Sequence, residues 1–65
     1  VAGVIEIEKC YVRKTGMTFN VDMHIVVDGN LTVKKGHDIA HDVKKEIQNK
    51  FPEIADVLIH VEPTE

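Results

Sequence analysis

Apolar and polar residues alternate most cleanly between Met17 and Val27. Met17, Phe19, Val21, Met23, Ile25 and Val27 share one parity, and Thr18, Asn20, Asp22, His24, Val26 and Asp28 share the other. Successive side chains of a strand point to opposite faces, so this run predicts a strand with one apolar and one mostly polar face. An earlier strand is predicted over Val4 to Arg13, where Ile5, Ile7 and Tyr11 alternate with Glu6, Glu8 and Cys10. Lys9 interrupts that alternation and marks a bulge or an edge position. Lys14-Thr15-Gly16 is the turn between them, with Gly16 available for a positive φ.

Asp28-Gly29-Asn30 ends the second strand, and Thr32 is a natural N-cap for a helix from Val33 to Phe51. Val33, Ala40, Val43 and Ile47 recur near helical spacing, and Phe51 closes the pattern. Gly36 weakens the first turn by about 1 kcal/mol relative to Ala, and it offers room for another backbone to approach. Pro52 stops the helix. Asp56 to Glu62 predicts a third strand, with Val57, Ile59 and Val61 opposed to Leu58, His60 and Glu62 before Pro63 ends it. There is no internal repeat, linker or low-complexity stretch.

The order strand, strand, helix, strand makes the third strand parallel to the second and its neighbour, since a crossover helix joins them. Phe19, Val21, Met23, Ile25, Val57 and Ile59 then face the helix, and Asn20, Asp22, His24, Val26, Leu58, His60 and Glu62 occupy the open face. One helix covers such a sheet thinly. A second helix upstream of Val1 is expected, completing an α+β open-faced sandwich of the ferredoxin-like kind on a three-stranded mixed sheet. The 65 residues form one domain, 1–65, and the opening Val1-Ala2-Gly3-Val4 reads as a piece cut from a longer protein.

Composition narrows the function classes. Apolar content is 43% and charged content 29%, which suits a folded domain. Below about 70–80 residues a single core seldom yields more than ~3–5 kcal/mol, so a partner chain, a metal or a neighbouring segment is expected to help. Cys10 is the only cysteine, which rules out an internal disulfide and points to a reducing compartment. The net charge is −3 and the aromatics are Tyr11, Phe19 and Phe51 alone, a poor match to a nucleic-acid binder. Lys34, Lys35, Lys44, Lys45 and Lys50 are interleaved with Asp38, Asp42 and Glu46, as on a solvated helix surface. No run reaches the ~18 apolar residues of a membrane span, and no signal-peptide pattern is present.

The candidate chemistry is carried by histidines from three distant segments. If the second and third strands are neighbours, His24 and His60 project from the same face, and Glu62 shares it. Two imidazoles and a carboxylate are three of the four ligands of a tetrahedral Zn²⁺-type site. Water, Asp22, Glu8 or another chain is left to supply the fourth; Asp22 reads equally well as a plain polar strand residue. His37 opens the helix on the other side of the sheet or at its end, where a symmetry mate's site is easier to reach than its own. His37 and His41 form an i,i+4 pair able to chelate alone. Without an adjacent Glu and a third ligand they make no metalloprotease motif, and His41 reads as a solvated residue. Cys10 reads as a small buried apolar residue, Tyr11 as packing, and Lys9 and Arg13 as solvent-facing. No phosphate loop or nucleophile–His–acid set supports an enzyme, and the open face is expected to be shallow.

Asp22-Met23-His24-Ile25-Val26-Val27-Asp28, Leu31-Thr32-Val33, Gly36-His37-Asp38-Ile39-Ala40, Phe51-Pro52 and Leu58-Ile59-His60-Val61-Glu62-Pro63 together resemble the cytoplasmic C-terminal domain of cation diffusion facilitator transporters. The resemblance runs over nearly the whole chain. It implies a non-catalytic α-β-β-α-β domain at the cytoplasmic face of the membrane, downstream of a membrane-embedded domain that exports Zn²⁺ or a related divalent cation, commonly for protons. It implies a homodimer in which interfacial metal favours the transport-competent state. The metal ligands it implies are His24, His60, Glu62 and, commonly in the partner's site, His37. Some members carry a His in the first strand where this chain offers Glu8, which weakens the site or broadens it toward harder metals.

The competing expectation is a purely structural homodimerisation module with incidental histidines, its apolar interface starting at Val26 and Leu58. A free metallochaperone is disfavoured by the single thiol, and a small-molecule module would need an apolar pocket.

Overall fold

The computed structural model describes residues 1–64. The chain runs β1 (Glu6–Thr15), β2 (Thr18–Val27), α1 (Val33–Lys50) and β3 (Ile54–Pro63). The sheet order is β1-β2-β3, with β1 antiparallel and β3 parallel to β2. This is the three-stranded mixed sheet and single helix of the ferredoxin-like arrangement that the alternation and crossover imply. Gly16 has φ +64°, the left-handed conformation the β1–β2 turn requires.

The core lies between β2, β3 and α1. Val21, Met23, Ile25 and Val27 are buried along β2, and Val57 joins them from β3. On α1 the buried positions are Gly36, Ile39 and Val43, and Ile47 packs beside them. This corrects the helix pattern: Val33, expected on the apolar face, is 92% exposed, and Ile39 takes the central place. The i, i+3, i+7 spacing from Gly36 defines the stripe, and Val33 lies off it. Met17 is also outside the core, because it sits at the turn beyond the reach of α1. A Cβ on Gly36 would meet only Val61 Cγ1, at 3.8 Å, so no other backbone approaches there. The helix starts as expected: the Thr32 hydroxyl accepts from the Lys35 N–H at 3.1 Å. It ends at Lys50, with Phe51 as its cap and Pro52 behind it.

β1 departs furthest from its sequence pattern. Ile7 pairs with Ile25 and Lys9 with His24, so Glu8 is the extra residue of a bulge. Beyond the bulge the faces exchange. Cys10 pairs with Met23 on the helix side, and Tyr11 pairs with Asp22 on the open face. Cys10 and Tyr11, expected to be buried or packed, are both exposed. The helix covers β2 and β3 and leaves the inner side of β1 bare, with Ile5, Ile7 and Val12 exposed. A groove of about 270 Å³ runs there, lined by Val4, Ile7, Met23, Val43, Ile47 and Phe51.

Candidate metal centre

The open face takes its chemistry from β2 and β3. Parallel pairing places His24 opposite His60, Asp22 opposite Leu58, and Val26 opposite Glu62. Paired residues of adjacent strands share a face, so Asp22, His24, His60 and Glu62 all project away from α1. The alternation that buries Val21, Met23 and Ile25 fixes this orientation, since a one-residue slip would bury the polar set instead.

The four side chains interlock diagonally. His60 Nε2 lies 2.8 Å from Asp22 Oδ1, and His24 Nδ1 lies 3.1 Å from Glu62 Oε2. The imidazoles of His24 and His60 stack with centroids 4.2 Å apart and planes 13° from parallel. The four are 26–42% exposed, open enough for an ion to enter yet partly shielded from water. One donor atom each from Asp22, His24 and His60 lie within 4.8 Å of one another. Zn–N and Zn–O bonds of about 2.0–2.2 Å place two ligands of one ion a little over 3 Å apart, so the three donors need to draw closer by at most about 1.5 Å to share one ion. Each imidazole–carboxylate hydrogen bond shares a proton that a divalent cation can replace. Where the carboxylate stays bound instead, it orients the ring and raises its basicity.

Glu8 and His37 stand apart from this group, and Glu62 lies at its edge. Glu62 touches His24 but is not one of the three converging donors. Glu8 is exposed at the bulge. His37 lies on α1 beside His41, exposed, with ring centroids 4.6 Å apart. Lys9 is a neighbour that the sequence pattern did not place: the bulge sets it opposite His24, so a positive charge borders the group. Arg13, opposite Asn20, lies further along the same face. Only the cross-strand register reveals these two positions.

Residues 1–64 match the family described as cation efflux protein, cytoplasmic domain, and the chain belongs to that family. Curated relatives agree. The manganese efflux system protein MneP of Bacillus subtilis is 38% identical over 60 residues, which is 92% of this chain and 20% of that protein. The cation-efflux pump FieF of Yersinia enterocolitica is 32% identical over 62 residues, 95% of this chain and 20% of that protein. Metal tolerance protein C1 of Arabidopsis thaliana is 35% identical over 51 residues, 78% of this chain and 11% of that protein. The chain thus spans about a fifth or less of their lengths. Among solved structures, a cadmium form of the MamM CTD superposes with TM-score 0.94 at 28% identity, covering 100% of this chain and 81% of that one. A nickel form gives the same score and identity, covering 82% of its chain. Among the described residues, no helix is long and apolar enough to cross a membrane.

Proposed function

We propose that this domain is the metal-responsive dimerisation module of a divalent-cation efflux transporter, acting without catalysis at the cytoplasmic face of the membrane. Its site is built from Asp22, His24, His60 and Glu62, with a Zn²⁺-type cation as ligand. The observation that carries this reading is the convergence of Asp22, His24 and His60 donors on one exposed face. The efflux and metal-tolerance names of the relatives, and the cadmium and nickel forms of the MamM CTD, support a divalent cation. Two such faces brought together crowd carboxylates, and a shared cation offsets their repulsion. Metal that binds the compact pair better than the separated chains shifts the population toward it. At a hundredfold excess over Kd that bias is about 2.7 kcal/mol, enough to drive a marginal dimer. His37 is not required for the site within a protomer. Titration of the domain with Zn²⁺ by calorimetry, repeated on His60→Ala, tests the assignment. A marked loss of affinity is expected, and equal affinity in the two proteins rejects it.

The exposed Leu58, paired with Asp22 at the centre of the same face, favours a second reading: a structural homodimerisation module whose histidines are incidental. Sedimentation with and without Zn²⁺ separates the two, because only the first makes dimerisation depend on metal.

A further inference from the structure

Taking the Asp22–His24–His60 site proposed above as its basis, we propose that Lys9 sets the cation concentration at which that site fills, by holding a positive charge against the incoming metal. Lys9 pairs with His24 across β1 and β2, and His24 pairs with His60 across β2 and β3, so the three stand in one row straight across the sheet. Residues paired in this way share a face, which puts an ammonium-bearing side chain beside both imidazoles. The bulge delivers it there. Ile7 faces the helix side opposite Ile25, and strict alternation would turn Lys9 to that same side. The extra residue, Glu8, turns it to the open face instead. Bulges recur beside functional sites because they re-aim a side chain in this way.

The charge of Lys9 is not tied up elsewhere. Among the described residues Lys9 makes no ion pair, whereas Lys44 is held by Asp56 and Lys50 by Glu46. Its long, flexible stem is exposed, free to bring the ammonium toward the imidazole row. The other paired charges that β1 adds to this face are Glu6, opposite Val26, and Arg13, opposite Asn20. Lys9 alone shares the row of the imidazoles. A unit positive charge about 8 Å from a divalent ion in water lowers its affinity about fourfold at ~0.01 M salt and about twofold at ~0.15 M. The effect raises the filling threshold without excluding the metal, which suits a site that stays empty until free cation is in excess. In the metal-free chain the same charge offsets part of the repulsion among Asp22, Glu62 and the carboxylates of a second copy.

Calorimetric titrations with Zn²⁺ at ~0.01 M and ~0.15 M salt compare the unaltered domain with Lys9→Gln, Lys9→Arg, Lys45→Gln and His60→Ala, and circular dichroism checks the fold of each. Lys45 is an exposed lysine of α1, across the sheet from the site, so its variant controls for the change in overall charge. Lys9→Gln is expected to bind Zn²⁺ about fourfold more tightly at low salt, the gain shrinking to about twofold at the higher salt. Lys9→Arg should keep the unaltered affinity, and Lys45→Gln should gain less than Lys9→Gln. An equal or weaker affinity in Lys9→Gln at low salt overturns the proposal. So does a gain that salt leaves unchanged, or an equal gain in Lys45→Gln. Loss of affinity in His60→Ala with none of the expected gain in Lys9→Gln means that the role of Lys9 alone fails. Full affinity in His60→Ala means that the sheet-face site itself fails, and the role of Lys9 with it.

Discussion

His60 Nε2 lies 2.8 Å from Asp22 Oδ1, although the backbone partner of Asp22 is Leu58. The contact is diagonal, two residues off register, and the His24–Glu62 contact repeats the same offset one step along the strands. Each carboxylate therefore belongs to the opposite strand's imidazole. Removing one charge should disturb the proposed site without disturbing the sheet. Asp22→Asn keeps the shape and a hydrogen-bonding oxygen, and its Zn²⁺ affinity is expected to fall by about 10–100-fold. Glu8→Gln, at the exposed bulge outside the converging donors, should change that affinity less. Parallel calorimetric titrations rank the two, and a reversed order would count against the assignment.

Metal preference follows from the donors. With two imidazoles beside one carboxylate, the group should hold Zn²⁺ more tightly than Mn²⁺, because affinity for nitrogen-containing sites rises along the first-row series. Competition of Mn²⁺ against bound Zn²⁺ measures this directly. Displacement at equimolar Mn²⁺ would mean that oxygen donors dominate the shell.

The N-cap of α1 gives a stability prediction independent of metal. The Thr32 hydroxyl accepts the Lys35 N–H at 3.1 Å, and Thr32→Ala leaves that donor to water. The expected cost is about 1 kcal/mol, read as a lower urea midpoint with an unchanged slope.

Among the described residues Ile25 is the one large side chain fully enclosed, on the helix-facing side of β2. Replacing it with Ala should cost roughly 2–5 kcal/mol, comparable with the ~3–5 kcal/mol that so small a core supplies. Ile25→Ala is therefore expected to be largely unfolded in chelator. Saturating Zn²⁺ should restore part of its helical signal, since metal that binds only the folded chain adds to stability. Circular dichroism with and without Zn²⁺ is the measurement.

The run from Met17 to Val27 made β2 legible because its period of two is uninterrupted and buried on one side. β3 and its parallel placement followed from one crossover helix. β1 was less legible: its inner face is uncovered, so burial does not mark its parity, and an inserted residue at Glu8 exchanges the faces beyond it. Tyr11 and Cys10 were misplaced for that reason. The helix stripe was misread at Val33 and Ile39, since several apolar positions compete within one turn and only the angle of α1 on the sheet selects among them.

Sequence alone determined which residues share a side of the sheet along β2 and β3, because strand periodicity leaves a side chain two choices and burial of Val21, Met23 and Ile25 removes one. It thereby put Asp22, His24, His60 and Glu62 on a common surface. The partnering within that surface was settled only in three dimensions. Register decides that Asp22 meets His60 and Glu62 meets His24, and that Lys9 borders the group. The two imidazole–carboxylate contacts join segments 38 positions apart, which no local pattern encodes.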